Sequence, residues 1–379
     1  MQTNFSRRAR WNAPPNRLAV AREERRRRGE RELDLTESNP TRASIAYPLD
    51  ELSDALARAA RAPYEPAPLG LGSARAAVAS ELACDADDIV ITASTSEAYS
   101  FLFKLLTDPG DAILTATPTY PLLEHLAALE LIELRSFALE FQRRWEVDAQ
   151  RARAAATPRT RAIVVVSPNN PTGSYVDASE QHALAELGLP IISDEVFRPY
   201  AFGDAPPSLV REDVPAFTLG GLSKSAGLPH YKLGWIRVSG PPQAKREAIA
   251  ALELIADNFL SVATPVQQAL PELLRIGAGI REAIRARTRE NLDVITRAIE
   301  LVPAARLLPV EGGWTAVVRM PHLESDEEFV LRLLEEHGVF VHPGYFFDFD
   351  RDGYLVVSLL TRPDVFIEGV ARLVEAIPR

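Results

Sequence analysis

Ala162-Ile-Val-Val-Val166 runs straight into Ser167-Pro-Asn-Asn-Pro-Thr-Gly173, and Leu189-Pro-Ile-Ile192 runs into Ser193-Asp-Glu195. A short unbroken apolar run closed by turn residues reads as a strand buried on both faces. Working outward, Ile89-Val-Ile91 precedes an amphipathic segment from Glu97 to Leu106, and Ala112-Ile-Leu114 precedes another that ends near Leu131. Strands alternating with helices predict an α/β domain: a mostly parallel sheet flanked by helices on both faces. One strand is expected to run the other way. Leu233 to Val238 follows the strand-like Ala216 to Leu219 after a loop around Lys224 that is short for a parallel crossover.

Beyond Gly240 the chain reads helical from about Gln243 through Ile299, with a break near Ser261-Val-Ala-Thr-Pro265. It then reads as a strand (Thr315–Val318), a helix (Glu327–Glu336), a strand pair (Val339–Val341 with Leu355–Leu359) and a last helix (Phe366–Ala376). Ser325 and Glu328 have capping-box spacing. This predicts a second, smaller α+β unit. The charge run from Ala21 to Arg31 mixes arginines with Glu23, Glu24 and Glu30 and is bracketed by Leu18 and Leu33, so a solvated helix face explains it better than a nucleic-acid arm.

With 379 residues the chain can bury a large core. Its 42 Lys and Arg against 52 Asp and Glu give a net charge of −10, which argues against nucleic acid or an anionic membrane as partner. Cys84 is the only cysteine, which excludes an internal disulfide and a multi-cysteine metal site. No apolar run approaches the roughly 18 residues of a membrane helix. Met1 to Arg10 carries positive charge with no apolar stretch behind it, so it does not read as a secretory signal. The expectation is a soluble, cytoplasmic protein.

Polar residues collect where the predicted strands end, which is where open α/β sheets bind ligands. Ile91 leads to Thr92-Ala-Ser-Thr-Ser-Glu97, Leu114 to Thr115-Ala-Thr-Pro-Thr-Tyr120, and Val166 to Ser167-Pro-Asn-Asn-Pro-Thr-Gly173. Ile192 leads to Ser193-Asp-Glu195, and Leu219 to Gly220-Gly-Leu-Ser-Lys224. In order and spacing these motifs resemble those of the class I/II aminotransferases, fold-type I enzymes that use pyridoxal 5′-phosphate (PLP). The likeness runs from Ser38-Asn-Pro-Thr to Leu373.

The resemblance implies an aminotransferase that moves an amino group from an amino acid to a 2-oxo acid by a ping-pong route. It implies a large PLP-binding domain over residues 46–260. A small domain is expected from residues 1–45 and 261–379, joined by an interdomain helix. Lys224 matches the lysine that forms the aldimine with the cofactor, a task for an amine that can lose its proton. Asp194 matches the carboxylate that keeps the pyridine nitrogen protonated. Thr95, Ser96 and Glu97 match the helix start whose amides hold the phosphate, with Ser223 and Lys232 as further phosphate contacts. Tyr120 matches the ring that stacks on the pyridine, and Asn170 the amide that donates to its phenolic oxygen. Tyr64 matches a tyrosine lent across a two-fold dimer interface, which implies a homodimer.

Three positions depart from the pattern. Phe197 stands where a tyrosine donates to the phenolic oxygen, and Lys232 where an arginine is usual. Val356 stands where the family carries the arginine that clamps the substrate carboxylate. Arg362 is the nearest replacement along the chain. Asn39, Trp314 and Tyr345 are further substrate-binding candidates, with Tyr47 and His342 as possible pocket walls. A PLP-dependent β-lyase or decarboxylase is the alternative on the same fold, because fold does not choose the chemistry. A non-catalytic PLP-sensing module is disfavoured by the acidic charge and by the roughly 40 residues before Asn39, too few for a winged-helix domain.

Overall fold

Apolar runs such as Ala162–Val166 leave no polar face, and the chain buries them in the middle of one large sheet. The computed structural model describes Ser6, Arg8 and residues 14–378; most of the Met1–Arg10 stretch lies outside the described residues. In the first half the strands are β1 (Leu33–Asp34), β2 (Ile89–Thr92), β3 (Ala112–Thr117), β4 (Glu133–Ala138), β5 (Glu140–Phe141), β6 (Trp145–Glu146) and β7 (Thr160–Val166). Then come β8 (Ile191–Asp194), β9 (Ala216–Gly221), β10 (Gly234–Ser239), β11 (Arg306–Leu307), β12 (Thr315–Arg319), β13 (Val339–Phe340), β14 (His342–Pro343) and β15 (Tyr354–Ser358). The first helices are α1 (Arg17–Arg27), α2 (Leu49–Ala59), α3 (Gly72–Leu82), α4 (Thr95–Leu106), α5 (Leu122–Leu129), α6 (Ala149–Ala155) and α7 (Ala178–Ala185). They are followed by α8 (Leu222–Ser225), α9 (Pro242–Asp257), α10 (Thr264–Glu300), α11 (Asp326–His337) and α12 (Pro363–Ala376).

The central sheet has seven strands in the order β2-β10-β9-β8-β7-β3-β4. β10 alone runs antiparallel, to β9 and β2, as its short connection requires. The other six therefore point one way, and Thr92, Thr117, Val166, Asp194 and Gly221 all finish at the same edge. One face packs Ile192, Leu219 and Ile236 against Phe101, Phe103 and Leu252. The other packs Ile91 and Trp235 against Leu270, Leu273 and Ile280 of α10.

α10 has 37 residues, about 55 Å of helix at the usual rise, which is long enough to serve two cores. Its early residues join the sheet, while Ile295 and Ile299 pack with α11, α12 and β15 through Phe329, Phe366 and Leu355. The chain's start joins this second core: Leu18, Leu33 and Leu35 lie in it, and β1 pairs in parallel with β13. Ala43, by contrast, packs in the sheet's core beside Leu52 and Leu71.

The expected pairing of Val339–Val341 with Leu355–Leu359 is corrected here. The apolar run splits at Val341: β13 pairs with β1, and only β14 pairs with β15. The Ser325 cap does form, its hydroxyl accepting from Glu328 N–H at 3.2 Å. In the arginine-rich stretch, Arg26, Arg27 and Arg28 are exposed and paired with Glu23 or Glu30. Arg22 instead lies 4.0 Å over the Phe340 ring and bonds Glu32 and Asp34, tying α1 to the second core.

Candidate active site

The shared strand edge opens on a cavity of about 270 Å³. It gathers Ser94, Thr95, Ser96, Tyr120, Asn170, Asp194, Ser223, Lys224 and Lys232 from five strand ends and the loops after them. Lys224 sits on α8, a single helical turn set by three backbone ties. Leu222 N–H donates to Leu233 O at 2.9 Å, Tyr200 OH donates to the Lys224 carbonyl at 2.6 Å, and Ser225 Oγ donates to Val196 O at 3.2 Å. The Lys224 ammonium has no hydrogen bond or ion pair among the described residues. Burial pushes its pKa down; the Asp194 charge opposes this and the Lys232 charge adds to it. A desolvated amine with a lowered pKa is a nucleophile in waiting.

Asp194 ends β8 half-buried in the cavity wall. Burial pushes its pKa up to about 6, against bonds from Val196 N–H at 3.2 Å and Tyr99 OH at 3.0 Å that favour the anion. An anion held so dry is set to meet a cation within the cavity. Tyr99 was not visible in the sequence reading, although Thr95 and Tyr99 share one face of α4 at helical spacing.

α4 begins differently from expectation. Its N-cap is Ser94, whose hydroxyl accepts from Glu97 N–H at 3.1 Å, while Glu97 Oε2 accepts from Ala93 N–H at 2.6 Å. The amide of Glu97 is thus already used, and the Thr95 and Ser96 amides are the ones left without a protein partner among the described residues. Ser94 with Glu97 has the spacing of a capping box, a signal that sequence reading passed over. Gly234 at the start of β10 makes this approach possible, because a Cβ there would stand 3.0 Å from the Ser94 carbonyl carbon and 3.1 Å from Thr95 N. Lys232 holds a left-handed backbone (φ 50°) that non-glycine residues seldom adopt.

Asn170 has a buried Oδ1 with no protein partner, whereas neighbouring Asn169 spends its amide on Pro118 O and Thr172 Oγ1. Tyr120 is 48% exposed at the cavity rim. Phe197 lines the cavity and meets Trp314 edge-on at 5.1 Å. Trp314 is 3% exposed, its Nε1 lacks a protein partner, and Lys224 Nζ lies 5.6 Å from its ring. Ser38, Thr119 and the leucines Leu122, Leu123 and Leu126 line the cavity too, and sequence reading singled out none of them.

Other expected residues fall outside this lining. Asn39 turns its side-chain oxygen to Thr41 N–H and Oγ1. Arg362 pairs with Asp364 at 2.7 Å. Tyr345 OH donates to Glu327 at 3.2 Å, and burial with the Glu327 charge pushes its pKa up to about 12. Tyr64 is 68% exposed, between α2 and α3. Tyr47 OH donates to Gly227 O at 2.5 Å. His342 is half-buried among Phe340, Phe346 and Phe347, and desolvation there pushes its pKa down to about 4. Val356 is 1% exposed in apolar core. No group of three metal-ligating side chains occurs among the described residues.

Residues 32–370 match the family model "Aminotransferase class I and II". The chain belongs to that family. Family members use PLP. Nicotianamine aminotransferase 1 of Oryza sativa subsp. japonica is 32% identical over 324 residues, covering 78% of this chain and 65% of that protein. The S-alkyl-thiohydroximate lyase of Arabidopsis thaliana is 30% identical over 275 residues, 68% of this chain and 61% of that one. Both matches thus span under two thirds of the relative's length. Among solved structures, an alanine aminotransferase from Pyrococcus furiosus superposes with a TM-score of 0.88 at 25% identity, covering 98% of this chain and 99% of that one. No helix among the described residues is long and apolar enough to cross a membrane.

Proposed function

We propose that this chain is a PLP-dependent aminotransferase that passes an amino group from an amino acid to a 2-oxo acid in two half-reactions. The observation that carries the reading is one cavity holding a half-buried, unpaired Lys224 amine together with a half-buried Asp194 carboxylate, their pKa values pushed down and up by desolvation. The donor set fits the cofactor: two free amides and hydroxyls at the α4 start for a phosphate, a desolvated anion for a pyridinium, and an amine for an aldehyde. When bound, PLP supplies the aldehyde that takes up the amino nitrogen and the ring that accepts electron density from the substrate carbon.

The residues divide the work as follows. Thr95, Ser96, Ser223 and Lys232 would hold the phosphate, with Ser94 and Glu97 fixing the helix start. Asp194, braced by Tyr99, would hold the ring proton. Tyr120 would cover the ring and Asn170 would offer its amide to the phenolic oxygen, where Phe197 has no hydroxyl to offer. Lys224 Nζ would anchor the cofactor and serve as the base that moves a proton at the substrate carbon. Domain limits of 46–260 and 1–45 with 261–379, a cytoplasmic setting, and a homodimer in which Tyr64 reaches the neighbouring site belong to the same reading. The arrangement of core clusters around α10 supports the division, and a lone cysteine suits a reducing compartment.

The test is a half-reaction. An amino donor added to the loaded protein should convert the aldehyde absorbance to that of the aminated cofactor, and an oxo acid should restore it. Release of ammonia and an oxo acid without that conversion would favour the lyase reading, which the Arabidopsis relative keeps in view.

A further inference from the structure

We infer, resting on the aminotransferase reading, that this cavity selects its amino substrate by an apolar body and that this chain's own described walls offer a substrate carboxylate no ionic partner. Its lining among the described residues contains three charged side chains: Lys224, Lys232 and Asp194. All three are engaged with the cofactor in the reading above. No arginine or histidine is among them. Arg362 lies outside this lining, in an exposed pair with Asp364, and the strand position at Val356 is filled by apolar core.

Besides the neutral hydroxyls of Ser38, Tyr99 and Thr119, the rest of the wall is mostly apolar, with Leu122, Leu123, Leu126, Val196 and Phe197 prominent in it. The leucines come from one turn of α5, whose sequence Leu122-Leu-Glu-His-Leu126 brings them to one side at helical spacing. Leu123 is buried, and Leu122, also in the lining, is 38% exposed. An ionised carboxylate brought against such a wall loses water and gains no counter-charge. An apolar chain laid on it is favoured in proportion to the area covered. Amino compounds with a hydrocarbon or aromatic side chain are therefore accepted, a second carboxylate is rejected, and the carboxylate beside the amine adds little.

Two measurements on the PLP-loaded protein test this. The first is the rate at which aminooxyacetate and O-methylhydroxylamine, which differ by a carboxylate, capture the bound aldehyde, followed by absorbance. Rates within tenfold of each other support the inference. A larger advantage for aminooxyacetate overturns it, and loss of that advantage in Arg362→Ala would name the missing partner. The second compares leucine with glutamate in the half-reaction. Leucine should exceed glutamate at least tenfold, and Leu122→Arg should raise the glutamate rate at least tenfold. A smaller preference, or no gain in the variant, overturns the assignment of the leucine wall. If neither donor converts the cofactor, the aminotransferase reading falls, while the capture ratio still decides whether a carboxylate finds a partner.

Discussion

Replacing Asp194 by Asn in the cofactor-free protein should stabilise it, and the gain should depend on pH in a way the structure dictates. The carboxylate lies in the cavity wall, and its desolvation there raises its pKa to about 6, against an ordinary aspartate value of about 3.9. As pH rises past about 4, the unfolded chain releases this proton while the folded chain keeps it until about 6. Stability therefore falls across that window and is level above it. Two pKa units correspond to about 3 kcal/mol, and Asn carries no such dependence. Urea unfolding of both proteins at pH 4 and pH 7.5 should show the difference moving in favour of Asp194→Asn by about 2–3 kcal/mol, because every other titrating group cancels. With PLP bound, the order should reverse through lost cofactor affinity. Parallel stabilities at the two pH values would refute the reasoning, since they would mean that the Asp194 anion is not held dry.

Tyr99→Phe removes the 3.0 Å bond to Asp194; bonds to charged groups contribute about 1.5–3 kcal/mol, so kcat/KM should drop by about tenfold or more and the acid limb of its pH profile should move upward. Ser94→Ala removes the cap of α4 and should lower unfolding free energy by about 1 kcal/mol, with PLP affinity falling as the Thr95 and Ser96 amides lose their order; equilibrium unfolding and cofactor titration read both. His342, with its pKa pushed down to about 4, supports a fold that weakens as pH falls below about 6.5, where the unfolded imidazole takes a proton that the folded one refuses. His342→Phe should flatten that acid-side loss by up to about 3 kcal/mol in unfolding measured from pH 7.5 to pH 4.5.

Elements whose partners lie close along the chain, or whose burial leaves a continuous apolar run, were legible from the residues. β7 and β8 announce themselves by composition, and the reversal of β10 follows from the length of one loop. Asp194 and Lys224 lie just past the ends of such runs, but their roles came from the resemblance to the family, since a lysine or an aspartate after a strand is by itself an ordinary surface or turn residue. What stayed hidden was pairing across distance. Tyr99 meets Asp194 across 95 positions, and no local pattern encodes that encounter. The three apolar residues from Val339 carry no mark of which neighbour they prefer, and β1, far upstream, takes two of them. Arg362 shows the same limit: its place near the C-terminal strand suggested a carboxylate clamp, yet Asp364 two residues on captures it. Chain position does not orient a long side chain.

The central claim is that the ε-nitrogen of Lys224 carries the cofactor, and borohydride tests it directly. Reduction of the PLP-loaded protein, followed by proteolysis and mass analysis, should place the pyridoxyl mass on the peptide containing Leu222-Ser-Lys224-Ser, with no label in Lys224→Ala. Label on Lys232 or Lys104 instead, or none on a protein that binds PLP, would contradict the account.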